Sequence, residues 1–180
     1  MKELLDKLTS YNIFNYLLPG VLFAVIGDGL TSYTLLQADI VLGVFVYYFY
    51  GLIISRLGSL LIEPFLKRIK VLQFEPYADF MRASKTDAKI ELLSEANNMY
   101  RTLLSTFVCL LLLQLLEFLQ KTYAVVSQYG TTTVIILLVF LFAFSYRKQT
   151  KYISARVKQA ILSEESKPAD KEENAAPKAL

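Results

Sequence analysis

The sequence predicts an all-α, polytopic membrane protein with four transmembrane helices, the third and fourth extended into the cytoplasm. Three observations carry that expectation. Hydrophobic residues make up 54% of the 180 and charged residues only 19%, against about a quarter charged in an ordinary soluble domain. The charges are also segregated: they nearly vanish from 8–38, 40–55 and 102–146 and concentrate in 63–101 and 147–173. Finally, the basic residues fall almost entirely on one side of the apolar runs.

The first span is read from Ile13 to Leu36, IFNYLLPGVLFAVIGDGLTSYTLL. Pro19 and Gly20 weaken its backbone ladder near the start, and Gly27-Asp28-Gly29 either ends or interrupts it. Membrane helices tolerate such residues where neighbouring helices or water satisfy the freed backbone groups. A cleaved signal peptide is not expected, because Glu3 and Asp6 dilute the basic start and no small-x-small site follows.

The second span runs from about Ile40 to Ile62, long enough for a hydrocarbon core of about 30 Å at about 1.5 Å per residue. It contains one charge, Arg56, near its inner end. Two readings stay open. The arginine extends its guanidinium to the headgroups along its own stem, or it organises a polar cluster with Asn12, Asn15, Asn97, Asn98 and Arg101, whose amide oxygens match its donors. The same span carries Gly51, Ser55 and Ser59 at four-residue spacing, and the first span carries Gly20 and Ala24. Such small-residue stripes let membrane helices approach closely, within one chain or between copies. The aromatic run FVYYFY at 45–50 reads as an interfacial tyrosine belt.

Pro64 is expected to end or kink the second helix at the membrane surface. The amphipathic stretch EPFLKRIKVLQF would then lie on the headgroups. A turn is expected at Glu75-Pro76, and Ser84 with Asp87 resembles a helix N-cap. From about Thr86 one long helix leads into the third span, Leu103 to Leu119. The fourth span, Thr131 to Tyr146, continues into YRKQTKYISARVKQAIL, whose face of Tyr146, Ile153, Val157, Ala160 and Ile161 is expected to pack as an antiparallel pair with the third helix. The expected organisation is a domain over 1–162, with a cytoplasmic helical hairpin from 63–101 and 147–162. A disordered tail is expected over 163–180, which lacks large apolar residues before Leu180.

Seventeen basic residues lie in the N-terminal flank (Lys2, Lys7), in 63–101 and beyond 146. The opposite loops, about 28–39 and 120–130, carry Lys121 alone. By the positive-inside rule both termini and 63–101 face the cytoplasm, across the cell's inner membrane.

The residue inventory excludes several chemistries. There is no histidine, so triads and imidazole metal sites are absent, and Cys109 stands alone in a leucine run. No nucleotide-binding or nucleophile-elbow motif occurs, and no carboxylate pair is placed for catalysis. No cofactor, metal site, enzymatic activity or direct nucleic-acid binding is expected.

The stretches SYNIFNYLLPG, GLIISRLGSLLIEP, LSEANNMYRTL and FSYRKQT resemble a family of small bacterial four-pass membrane proteins, over about residues 9–151. The resemblance extends to the membrane component of Kiwa-type antiphage defence systems. It implies a place in such a system and no catalytic residues. The leading expectation is a membrane anchor or sensor that contacts the lipid bilayer and engages a cytosolic protein partner, with a homo-oligomer possible. The alternatives are an oligomeric channel or membrane-depolarising pore, and a transporter or membrane enzyme, for which only the Pro19–Asp28 interruption speaks.

Overall fold

The computed structural model describes residues 12–165, and among them only helices and their connections occur. A π-helical turn, Ile13–Leu17, leads into α1 (Leu18–Leu30). Helix α2 (Ile40–Leu57) passes through a second π-helical turn, Gly58–Ile62, into α3 (Glu63–Arg68). Then come α4 (Tyr77–Thr86), α5 (Lys89–Thr122) and α6 (Ala124–Glu165). Four helical runs are long and apolar enough to cross a membrane: Ile13–Leu30, Ile40–Arg68, Lys89–Thr122 and Ala124–Ile161. The chain divides between Ser145 and Tyr146 into two compact units.

Both π-helical turns stand immediately before a proline-containing turn. Proline at position i removes the N–H that would bond the carbonyl of i−4 and pushes its ring against that carbonyl. The chain answers by widening the preceding turn: Leu18 N–H bonds the Ile13 carbonyl, and Glu63 N–H bonds the Gly58 carbonyl, each five residues back. Pro64 therefore does not end the second span, as its sequence context predicts. The wider turn accommodates the ring and the helix continues to Arg68.

The first span is shorter than expected. Of the two readings of Gly27-Asp28-Gly29, the ending holds: the helix stops at Leu30, where the backbone N–H and hydroxyl of Thr31 both donate to the Gly27 carbonyl, at 3.0 and 2.7 Å. Asp28 organises the following loop, accepting from Leu35 and Leu36 N–H at 2.8 and 3.2 Å. Glu117 on α5 accepts from Ser32 N–H at 2.9 Å and from Lys121 Nζ at 2.6 Å, and Tyr33 donates to the Gln120 side-chain carbonyl. Burial, and then the Glu117 charge, hold the Tyr33 phenol above its ordinary pKa. Asp39 opens α2 as its N-cap, accepting from Leu42 N–H at 2.7 Å.

The expected second outer loop, 120–130, is helical except at Tyr123, one extended residue between α5 and α6. No proline lies there, and Gly130 sits against the Gln120 side chain. Ser84 does not cap the third long helix either. It lies inside α4, and Asp87 accepts from Lys89 N–H at 2.9 Å.

Spans one and two meet backbone to backbone. A Cβ on Gly20 would stand 1.7 Å from the Tyr47 carbonyl oxygen, and one on Gly51 would stand 1.7 Å from that of Tyr16. Ala24, Ser55 and Ser59, the rest of the small-residue stripe, are buried. Within a bilayer, lipid tails are as apolar as leucine, so close contact between small residues holds helices together where hydrophobic exclusion cannot. The aromatic run packs inward as well: Tyr48 lies edge-on to Tyr16 at 5.4 Å and Tyr50 to Phe23 at 5.7 Å. The Tyr47 hydroxyl accepts from Gln37 N–H at 2.9 Å.

The fourth span is held more lightly. Only 11% of its apolar window is buried, against 28% of the first, and its inward contacts include Leu141, Ser145 and a stack of Phe142 on Phe49 at 6.2 Å.

The second unit, over its described residues, is the helical stretch 146–165. The face expected to pack there, Tyr146, Ile153, Val157 and Ile161, is exposed, as is Ala160. The helix reaches Glu165, three residues into the stretch 163–180 expected to be tail. The remaining tail, 166–180, and the flank with Lys2 and Lys7 lie outside the described residues.

Candidate functional site

At the end of the bundle where Asn15, Glu63 and Arg101 meet, the buried side chains change from apolar to polar. Asn15, Ser55, Ser59, Glu63, Thr102, Ser105 and Thr106 are all buried there. Helix geometry explains the gathering. Thr102, Ser105 and Thr106 share one face of α5 by their three- and four-residue spacing, and Ser55 and Ser59 do the same across the α2 junction.

Thr102 is the hub. Its hydroxyl donates to the Asn98 carbonyl at 2.8 Å, and it lies 3.4 Å from both Asn15 Oδ1 and Ser55 Oγ. A hydroxyl has one proton, and the shorter bond takes it. Ser55 therefore reaches Thr102 by donating its own hydroxyl proton. Ser105 and Thr106 donate back to the Arg101 and Thr102 carbonyls at 2.7 and 3.0 Å. A Cβ on Gly58 would fall 2.2 Å from Ser105 Oγ, so the π-helical turn lies directly on α5.

One turn further out an ion cluster closes this end. The Glu63 carboxylate pairs with Arg101 Nη1 and with Lys67 Nζ, each at 2.9 Å. Lys67 also lies over the Phe74 ring at 4.0 Å. Arg101 Nε is buried without a hydrogen-bond partner. A cavity of about 130 Å³ adjoins it, lined by Glu63, Asn97, Tyr100 and Arg101 and by Leu66, Leu72, Phe74 and Leu104.

Of the six residues expected to form a polar cluster, the structure brings Asn15 and the Asn98 backbone to Thr102 and places Arg101 on Glu63. Asn97 is exposed at the cavity, and Asn12 is half-buried at the start of the first span with no side-chain cap bond. Arg56 is half-buried and shows no hydrogen bond or ion pair to a described residue. Arg56→Lys is accordingly expected to keep the thermal stability of the detergent-purified protein within about 0.5 kcal/mol of wild type. A larger loss would mean that the planar fork of arginine is required.

Sequence reasoning missed Glu63, Gly58, Thr102, Ser105 and Thr106. The available signal was Glu63 four residues before Lys67, and the small polar face TxxST one turn inside the third span.

The cluster offers hydrogen bonds and one carboxylate, and no group of metal-ligating side chains occurs among the described residues. No known protein family, curated protein or solved structure matches this chain. What its four apolar helices define is a class, that of multi-pass membrane proteins.

Proposed function

We propose that the chain is a non-enzymatic membrane anchor or sensor that engages a cytosolic protein partner. In this reading it lies in the cell's inner membrane with both termini and 63–101 in the cytosol. The observation that carries it is α6, a 42-residue helix without an acidic residue before Glu164. Its apolar half is long enough to span, and the half that follows presents Arg147, Lys151, Arg156 and Lys158 exposed. A basic stretch that follows an apolar span suits an acidic protein surface, which such charge would attract and orient. The resemblance of its sequence to small four-pass bacterial proteins supports placing that partner in an antiphage defence system.

The test starts from native membranes solubilised in mild detergent. A tagged wild-type chain should retain a stoichiometric protein, and Lys151→Glu with Arg156→Glu should lower its recovery at least about tenfold at equal membrane level, since opposed like charges cost several kcal/mol. In the same cells, with Cys109→Ser, a cysteine at Thr34 should react with an impermeant thiol reagent and one at Lys85 should not. Reaction at Lys85 before lysis, or a partner indifferent to the reversed charges, rejects the proposal. The lightly packed fourth span favours a second reading, an oligomeric channel or membrane-depolarising pore. Ion flux from liposomes containing the purified chain alone would select that reading.

A further inference from the structure

A second, larger space lies beside the cavity at Arg101. An apolar groove of about 480 Å³ is lined by Leu61, Ile62, Phe65, Leu66, Leu104 and Val108, and Leu66 and Leu104 also line the Arg101 cavity. The two spaces therefore share part of their wall. Their order along the bundle follows from the antiparallel run of spans two and three. Leu61 and Ile62 precede the cavity's Glu63 and Leu66 on one span, and Val108 follows its Leu104 on the other, so the apolar groove reaches further along the spans, away from their charged end. The polar cavity lies at the end of the second span that carries Lys67 and Arg68, with Lys70 just beyond it.

We infer that this composite pocket is a binding site for one anionic phospholipid, its acyl chain in the groove and its phosphate at Arg101. Two features select this occupant. The pocket is amphiphilic along the bilayer normal, apolar at depth and cationic at the rim, which matches a lipid end to end. Charge selects an anionic head: among the described residues Arg101 and Lys67 share a single acid, Glu63, which leaves one positive charge over. A guanidinium presents several donors in a fixed fork and favours phosphate over a neutral headgroup. Tyr100 and Asn97 stand at the cavity with further donors of the kind that hold headgroup oxygens. The site would fix the spacing of spans two and three to the lipid composition of the leaflet. It needs only that the chain lie in a bilayer and is independent of any protein partner.

The full chain would be reconstituted in nanodiscs of equimolar phosphatidylglycerol and phosphatidylcholine. It would then be extracted in mild detergent, and its retained lipid measured by mass spectrometry. Phosphatidylglycerol should be enriched about fivefold, the ratio expected for one basic residue acting on an anionic lipid. Arg101→Gln should bring the ratio close to one. Leu61→Trp, on an exposed position of the groove, should do the same by filling it while leaving the Arg101 ion pair intact. Arg156→Gln should keep the wild-type ratio. Glycerol 1-phosphate, a head without chains, should not displace the retained lipid. The inference is overturned by equal retention of both lipids in wild type. It also falls if both pocket variants keep the enrichment, or if glycerol 1-phosphate displaces the lipid as well as phosphatidylglycerol does. None of these outcomes bears on partner recovery from native membranes, so the two proposals fail separately.

Discussion

Gly51→Ala is expected to destabilise the bundle by about 3 kcal/mol, the upper part of the range for overpacking a tight interior. The added methyl carbon would start 1.7 Å from the Tyr16 carbonyl oxygen and 2.6 Å from its carbon. Both obstacles are backbone, so no side-chain rotation relieves them and the whole first span must move away. That movement would also separate Asn15 from Thr102, one position from the point of contact. Gly20→Ala should act alike, because its methyl would meet the Tyr47 carbonyl across the same seam. Combining the two should cost much less than the sum, since one displacement relieves both clashes. Gly29→Ala is the control: nothing lies within 4 Å of its Cβ position, and replacing a helical glycine there should stabilise by up to about 1 kcal/mol. The measurement is the thermal midpoint in a single mild detergent, with gel-filtration volume reporting assembly. An unchanged midpoint for Gly51→Ala would refute the backbone contact.

Glu63→Ala is the second large effect, at about 3 kcal/mol, the lower end for removing one member of a buried pair. Among the described residues its carboxylate is the only acid paired with Arg101, and the side chains of Glu63 and Arg101 are 12% and 20% exposed. Without Glu63, Arg101 would keep its charge in a half-buried place where Nε already lacks a partner. The Lys67 half of the cluster contributes little to this loss, because that ammonium is 43% exposed and water screens it. Removing both charges with Glu63→Leu and Arg101→Leu should recover most of the lost stability, since an apolar pair of similar volume needs no compensation. If Glu63→Ala alone leaves the thermal midpoint unchanged, the ion pair does not close this end of the bundle.

The four apolar runs were legible in the sequence because a bilayer imposes a demand that each segment meets alone. About twenty residues must be apolar whatever surrounds them. The small-residue stripe Gly51, Ser55, Ser59 could be read for a related reason, since four-residue spacing places side chains on one face before any partner is known. Helix ends were read less well. Pro64 looked like a stop or a kink, and the helix runs on past it through a π-helical turn. Residues 120–130 looked like a loop and narrow to Tyr123. In each case a local preference worth a few kcal/mol or less yields to helices and bonds that neighbouring segments stabilise.

The polar cluster divides along the same line. Arg56 drew attention in the sequence because a charge inside an apolar run is costly wherever it points, but cost alone does not say what would answer it. In the structure it has no such bond to a described residue, and Arg101, on a helix 45 positions further on, meets Glu63. By itself the sequence determined which segments are apolar enough to span, how their small residues align, and on which side the basic residues collect. These properties are sums over single residues or follow from the helical repeat. Only the tertiary structure decided that Gly20 meets Gly51 backbone to backbone, that Thr102 joins Asn15 to Ser55, and that Glu63 answers Arg101. Those pairings depend on the rotation and depth of one helix against another. That choice is made by the fit of whole surfaces, which no single segment contains.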